Sequence, residues 1–245
     1  MAGIQVELWP REEGGEQEEH ITVQEKGPVE NGRLGSLPAE DITDFIASPG
    51  NPSAYAGFVR GIFKESPGLS PDDKIWNLLA YLEDETDFYS APASTRYHGA
   101  EPCGLIRHSL MVLANGIKLA PLMLGAETDR YYLTVSCLFH DLCKVNMYEP
   151  KTRNVKNEKT GEWEKEPFYA VRQDYISFGH GIESLLRLSR FISLSDPWRH
   201  AVRWHMGAYD LSPLDKMAMD KALTTYREVL FLQTADMLAG VVDAV

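Results

Sequence analysis

Residues 139–143 read Phe-His-Asp-Leu-Cys, a histidine and an aspartate side by side in an apolar run. Leu133-Thr134-Val135-Ser136-Cys137-Leu138 precede the pair and Val145 follows it, the pattern of a helix pressed into a core. An unpaired carboxylate buried there costs several kcal/mol. The fold therefore has to bring partners to Asp141, and no other stretch constrains the chain as strongly.

The candidates are few, because the chain holds seven histidines. His108 in GLIRHSLMVL, His180 in FGHGIES and His205 in VRWHMG lie in, or at the end of, segments patterned to face a core. Asp236 in LQTADMLAG is a second acid in an apolar helix. Taken singly, each has an ordinary explanation as a hydrogen-bonded core imidazole or a salt-bridged acid. Together, four histidines and two aspartates on five helical segments are hard to satisfy in pairs. One or two divalent ions satisfy them at once, since imidazole and carboxylate are natural ligands of first-row transition metals. Successive helical residues point about 100° apart. Asp141 then shares an ion with His140 only by reaching across, which suits a carboxylate bridging two ions.

The surrounding chain predicts an all-α fold with one small β-hairpin. Residues 1–40, rich in Glu, Gly and Gln without periodicity, are expected to form an acidic, disordered lead-in to a helical domain over 41–245. Short helices are expected over 42–47 and 54–63. Ser70-Pro71-Asp72-Asp73, Asp196-Pro197 and Ser212-Pro213-Leu214-Asp215 each set a capping side chain before a proline at the first helical position. The first opens IWNLLAYLEDETDFY, the second WRHAVRWHM, and the third a helix with a restart near Asp220. Further helices are predicted over 105–124, with Pro121 bending the end, and over 127–146, 180–194 and about 219–242. Residues 154–175 carry a Thr160-Gly161 turn signal between alternating segments, which predicts a hairpin, with a mobile loop as the alternative.

Composition excludes several classes. No apolar run approaches the ~20 residues that span a bilayer. The opening MAGIQVELWPREEGGEQEEH lacks the basic-then-apolar layout of a signal peptide. A formal charge of −12 argues against an extended duplex-binding surface but leaves room for one nucleotide or strand end at a local positive site. Cys103, Cys137 and Cys143 form no CxxC, and an odd count suits no simple disulfide framework. The expected setting is reducing and cytoplasmic.

The order His108, His140-Asp141, His180, His205, Asp236 is similar to that of the HD-domain superfamily of metal-dependent phosphohydrolases, over about residues 70–243. HDLCK resembles the HDxGK form of the family motif, with Cys143 in place of the usual glycine and Lys144 retained. APASTRYHGAEPCGLIRHSL resembles the segment leading to the first ligand in HD-type bacterial 3′–5′ exoribonucleases. RWHMG and ADM resemble segments of small HD hydrolases from bacteria and phages. An OB-type nucleic-acid-binding domain, present in the exoribonucleases, is not recognisable here.

The resemblance implies an HD-domain helical bundle holding two divalent transition-metal ions, drawn from Mn, Fe, Co, Ni or Zn. His108, His140, Asp141 and Asp236 would hold the first, and His180 and His205, with Asp141 bridging, the second. Such ions, roughly 3.5–4 Å apart, share a hydroxide and clamp a phosphate oxygen. The implied reaction is attack of metal-bound hydroxide on a phosphoester of a nucleotide or short single-stranded nucleic acid. Asp141 and Lys144 are the catalytic candidates. Lys144 either neutralises charge on the phosphoryl group or is a helix-end lysine favoured by the dipole. Arg96 and His98 either bind substrate phosphate beside the metal pocket or stand on a surface loop. Glu183 either orients a ligand histidine or stabilises the first turn of its helix. The basic residues of the hairpin region (Lys151, Arg153, Lys156, Lys159, Lys165, Arg172) either guide an anion inward or are solvated. His20 and His200 read as structural, and Trp198 and Trp204 as core packing. Two alternatives share the pattern: a mixed-valent di-iron oxygenase such as myo-inositol oxygenase, which has the same fold and ligand order, and a non-catalytic nucleotide-binding module. An intact ligand set counts against the last, because a purely structural site needs no open positions.

Overall fold

The computed structural model describes residues 38–242, except 49, 65–72, 97, 98, 126 and 210. In chain order the helices are α1 (Ala39–Ala47), α2 (Pro52–Lys64), α3 (Lys74–Asp84), α4 (Gly104–Met123) and α5 (Arg130–Phe139). A 3-10 turn (Leu142–Lys144) leads into the strands β1 (Tyr148–Lys156) and β2 (Trp163–Val171). Then come α6 (His180–Ser189), α7 (Asp196–Trp204), α8 (Pro213–Thr225) and α9 (Arg227–Met237), which runs into a π-helical turn (Leu238–Val242). A mostly helical fold with one antiparallel hairpin is what the sequence patterns predict. The lead-in over 1–40 lies outside the described residues apart from its last three, and α1 already begins at Ala39.

The central element is α4, which packs against α1, α5 and α9. Its apolar residues Leu105, Ile106, Leu110, Val112 and Leu113 are buried. Gly116 marks the tightest crossing. A Cβ there would lie 2.8 Å from Cys137 Sγ and 3.2 Å from Phe231 Cζ, so only glycine lets α5 and α9 approach α4 so closely. Asn115 Nδ2 donates to the Ala235 carbonyl across the same contact, at 3.5 Å. His108 stands two turns earlier on this face. Pro121 lies within the last turn of α4, where little helix remains for it to disrupt. Around this frame Phe139 stacks with Phe63 and packs at a tilt against Phe88, and Trp198 meets Phe231 edge-on at 6.0 Å.

Several expected boundaries move. The helix predicted over 127–146 ends at Phe139, so the His-Asp pair sits in the turn that leaves the helix and not inside it. Apolar burial continues through Leu142 and Val145 beyond the end of the α-helix, and burial alone cannot report where the helix stops. The exit is fixed by Asn146 at φ +55°, whose N–H donates to Asp87 Oδ1 at 2.6 Å. The segment expected as helix over 180–194 is helical only to Ser189. Tyr226, in extended backbone, divides α8 from α9, and α8 passes Asp220 without a restart. Ser212 caps α8, its Oγ accepting from Asp215 N at 3.1 Å. For α7 the capping position falls on Ser195, with Asp196 already helical. The hairpin begins six residues before the expected 154 and pairs Tyr148 with Val171 through Lys156 with Trp163. Its turn uses Gly161 at φ +76°. No helix among the described residues is long and apolar enough to cross a membrane.

Candidate metal centre

Two of the histidines are built in the same way. His140 caps the C-terminus of α5 and His205 that of α7. Each ring folds back on its own helix, with Nδ1 2.9 Å from the Cys137 carbonyl and 2.8 Å from the Val202 carbonyl respectively. A carbonyl only accepts, so Nδ1 carries the proton and Nε2 points away from the helix. The bond also satisfies one of the carbonyls that a helix end leaves free. His180 opens α6, whose approach to α7 depends on Gly181: a Cβ there would lie 2.1 Å from the Arg203 carbonyl oxygen. His108 comes from α4 and Asp236 from the last turn of α9. The start of α4 is tied to the preceding loop, with Cys103 N donating to the Ser90 carbonyl and Leu105 N to that of Ala91, both at 3.0 Å.

Asp141 stands at the centre, 2% exposed. Its Oδ1 lies 2.7 Å from His180 Nε2 and 3.4 Å from His205 Nε2. Its Oδ2 lies 2.6 Å from Lys144 Nζ, 3.5 Å from His140 Nε2 and 3.7 Å from His108 Nε2. Asp236 Oδ1 faces the other side, 3.0 Å from His108 Nε2 and 3.6 Å from His140 Nε2. The structure thus brings together His108, His140, Asp141, His180, His205 and Asp236, with Lys144 at their edge. The His140 and His205 rings are 4.9 Å apart and the His180 and His205 rings 5.1 Å.

Charge in the cluster is strongly coupled. Burial alone pushes the Asp141 carboxyl upward, but Lys144, His140 and His180 together hold it well below the usual carboxylate range. Asp236 is likewise pushed up by burial and brought well below that range by the adjacent imidazoles of His108 and His140. His180 loses basicity through burial and regains more from Asp141, which raises it to about 10. His140 is also raised, Asp141 and Asp236 outweighing its burial. For His108 and His205 burial prevails and the pKa falls. Lys144 is raised, because its pairing with Asp141 outweighs desolvation.

The donor set fits a metal ion. The Nε2 atoms of His140 and His205 are fully buried and have no hydrogen-bond partner. Each unsatisfied buried group costs roughly 1–3 kcal/mol, and a cation between them and the two carboxylates would remove that penalty. Donor atoms of His108, His140 and Asp141 lie within 4.8 Å of one another, as do those of His140, His205 and Asp236. A third group at the same separation joins Asp141 and His180 to Cys143. Cys143 was not among the sequence-derived ligands; the only signal was its departure from the glycine of the motif it resembles.

Neighbouring residues hold the turn in place. Arg187 on α6 donates to the carbonyls of Leu142 at 3.2 Å and Val145 at 2.9 Å, and pairs with Glu183 at 2.6 Å. Glu183 is therefore the anchor of this arginine and does not orient a histidine of the cluster. Tyr175 Oη donates to the Cys143 carbonyl, and Ser184 Oγ accepts from Cys143 N at 3.0 Å. Asn146, Arg172, Asp174, Tyr175, Ile176 and Arg187 line an open cleft of about 460 Å³. Arg96 is exposed and has no hydrogen-bond or ion-pair partner among the described residues. His98 and His20 lie outside the described residues. His200 stacks on Tyr226, apart from the cluster. In the hairpin region Lys151, Arg153 and Arg172 are paired with Glu149, Glu166 and Asp174, which favours the solvated reading for those three.

No family model matches the chain, and no match is found for it among curated proteins or solved structures.

Proposed function

We propose that the protein is a metal-dependent phosphohydrolase of the HD-domain type, acting on a phosphoester of a nucleotide or short single-stranded nucleic acid. The observation that carries this reading is the convergence of six side chains from five separate segments, with Asp141 at their centre. They are the residues, in the order, that the resemblance singles out. Two ions fit the arrangement, His108, His140 and Asp236 on one side of Asp141 and His180 and His205 on the other. When bound, such ions supply Lewis acidity toward a phosphoryl oxygen and lower the pKa of water.

The chain's own residues supply the rest. Asp141 offers one oxygen to each group of histidines and is held charged by its neighbours. His140 and His205, fixed at Nδ1, keep Nε2 aimed inward without rotamer search. The Lys144 ammonium, buried except for the 14% of its side chain left exposed, faces the site from the substrate side of Asp141 in this reading, where it offsets charge on a phosphoryl group. Ile176 and Phe178, exposed on the segment entering α6, offer apolar surface for a base.

The test is a substrate panel. Protein loaded with Mn²⁺ or Co²⁺ without oxygen is mixed with nucleoside mono-, di- and triphosphates, cyclic nucleotides and short RNA and DNA. Release of phosphate or of a nucleoside monophosphate is expected from at least one of them. Turnover seen only with iron and dissolved O₂, with a mixed-valent EPR signal and no phosphoester cleaved, would replace the hydrolase by an oxygenase.

A further inference from the structure

We infer that Cys143 is itself a metal ligand, giving the centre a thiolate donor beside His180; this rests on the metal-centre reading above. Cys143 is 2% exposed, yet it stands outside the hydrophobic core clusters of the described residues. Cys137 shows the contrast: its sulfur lies against Gly116 of α4, in the hydrophobic core. Cys143 Sγ instead faces the imidazole of His180, 3.2 Å from Nδ1 and 3.5 Å from Nε2. His180 Nε2 in turn lies 2.7 Å from Asp141 Oδ1. Sulfur, nitrogen and oxygen thus lie within 4.8 Å of one another.

The sulfur stands almost equally far from both ring nitrogens, so a turn of the His180 imidazole would let the two residues share an ion. With Zn–S about 2.3 Å and Zn–N about 2.0–2.1 Å at a tetrahedral angle, sulfur and nitrogen stand ~3.5 Å apart. The Cys143 Sγ to His180 Nε2 separation is 3.5 Å. A second observation points to the same place independently. His205 Nε2 is fully buried, lacks a hydrogen-bond partner and lies 3.4 Å from the same oxygen of Asp141. Cys143, His180 and Asp141 therefore form one donor group, and His205 reaches the same oxygen of Asp141.

The backbone holds the sulfur there. Cys143 N donates to Ser184 Oγ and its carbonyl accepts from Tyr175 Oη, so the residue is pinned from both sides. Coordination removes the thiol proton, which passes to solvent, and no electron is transferred. The added negative charge lies one residue from the Lys144 ammonium. A soft thiolate moves the preference of the site toward Zn²⁺, Co²⁺ and Fe²⁺ and away from Mg²⁺ and Mn²⁺.

Cobalt reports the sulfur directly. Metal-free full-length protein titrated with Co²⁺ should develop visible ligand-field bands and a near-ultraviolet thiolate-to-cobalt charge-transfer band. Cys143→Ser should keep the first and lose the second, while Cys103→Ser keeps both. X-ray absorption of the Zn²⁺-loaded wild type should show a sulfur neighbour at about 2.3 Å, a measurement that depends on no variant folding. Ligand-field bands with no charge transfer, and a zinc shell of nitrogen and oxygen alone, would remove Cys143 from the ligand set and leave the metal centre standing. A charge-transfer band that persists in Cys143→Ser would also overturn the assignment. Failure of the wild type to bind either ion would overturn the metal centre and the cysteine together.

Discussion

Asp141 is held by charge, and that decides what its removal does. In the metal-free protein its carboxylate lies 2.6 Å from the buried Lys144 ammonium and 2.7 Å from His180. Asp141→Asn keeps the volume but strands the lysine, and breaking a buried pair from one side costs about 3–5 kcal/mol. The variant should therefore unfold at clearly lower denaturant in the presence of chelator. Adding Lys144→Met removes the stranded charge and should recover most of that stability, while neither variant binds metal normally. Equal denaturant midpoints for Asp141→Asn and wild type would show that the pair contributes nothing. The histidines divide differently. His180 and His205 both face Oδ1 of Asp141, whereas His108 and His140 face Oδ2 and Asp236. His180→Ala or His205→Ala should lower bound metal from about two ions toward one, as read by elemental analysis. A wild type with a single ion, unchanged in both variants, would indicate a mononuclear site.

At the scale of elements, α6 is the brace of the cluster. Its Glu183–Arg187 pair grips two carbonyls of the turn that carries Asp141, Cys143 and Lys144. Arg187→Met deletes both bonds and leaves Glu183 buried, for a loss of about 2–4 kcal/mol. Loosening such supporting contacts weakens metal affinity by about 10–100-fold, which isothermal titration would detect. Wild-type affinity in Arg187→Met would mean that the turn holds its shape unaided; Arg187→Met with Glu183→Gln should regain stability without regaining affinity. This brace also marks the limit of what the sequence discloses. The candidate ligands were readable because polar residues in apolar helices are few, and the helices because their periodicity and the Ser212-Pro213 cap are local signals. The break after Phe139 was not readable, because Leu142 and Val145 remain buried in a turn held by residues more than forty positions away. The facing of Cys143 toward His180 was equally hidden, being set by how α6 docks, whereas the Glu183–Arg187 pair is an i,i+4 spacing within α6 that the sequence does display.

At the scale of the whole molecule, the cluster couples folding, protons and metal. Asp141 and Asp236, held below the usual carboxylate value of 3.8, contribute stability above that pH and lose it as pH falls further. His108 and His205, held below 6.5, resist protonation, so stability also falls as pH drops below 6.5. His180 has the opposite sign. Raised from 6.5 to about 10, it contributes fully below 6.5 and progressively less as pH climbs toward its folded value. His140 is raised in the same sense. Between 6.5 and 9.0, where buried thiols such as Cys137 begin to add their own dependence, the metal-free protein should therefore become less stable. Metal binding runs the other way across this window, since the ion takes the place of the protons on these histidines and binds more tightly as they leave. A ligand that binds only the folded state stabilises it by about 2.7 kcal/mol at a hundred times its Kd, and the Kd itself falls as pH rises. Calorimetry of protein in chelator and in Zn²⁺ should thus show a gap in Tm that widens from pH 6.5 to 9. A gap that stays constant or narrows would mean that ion and protons do not compete for the same nitrogens, and the metal centre would have to be sought elsewhere.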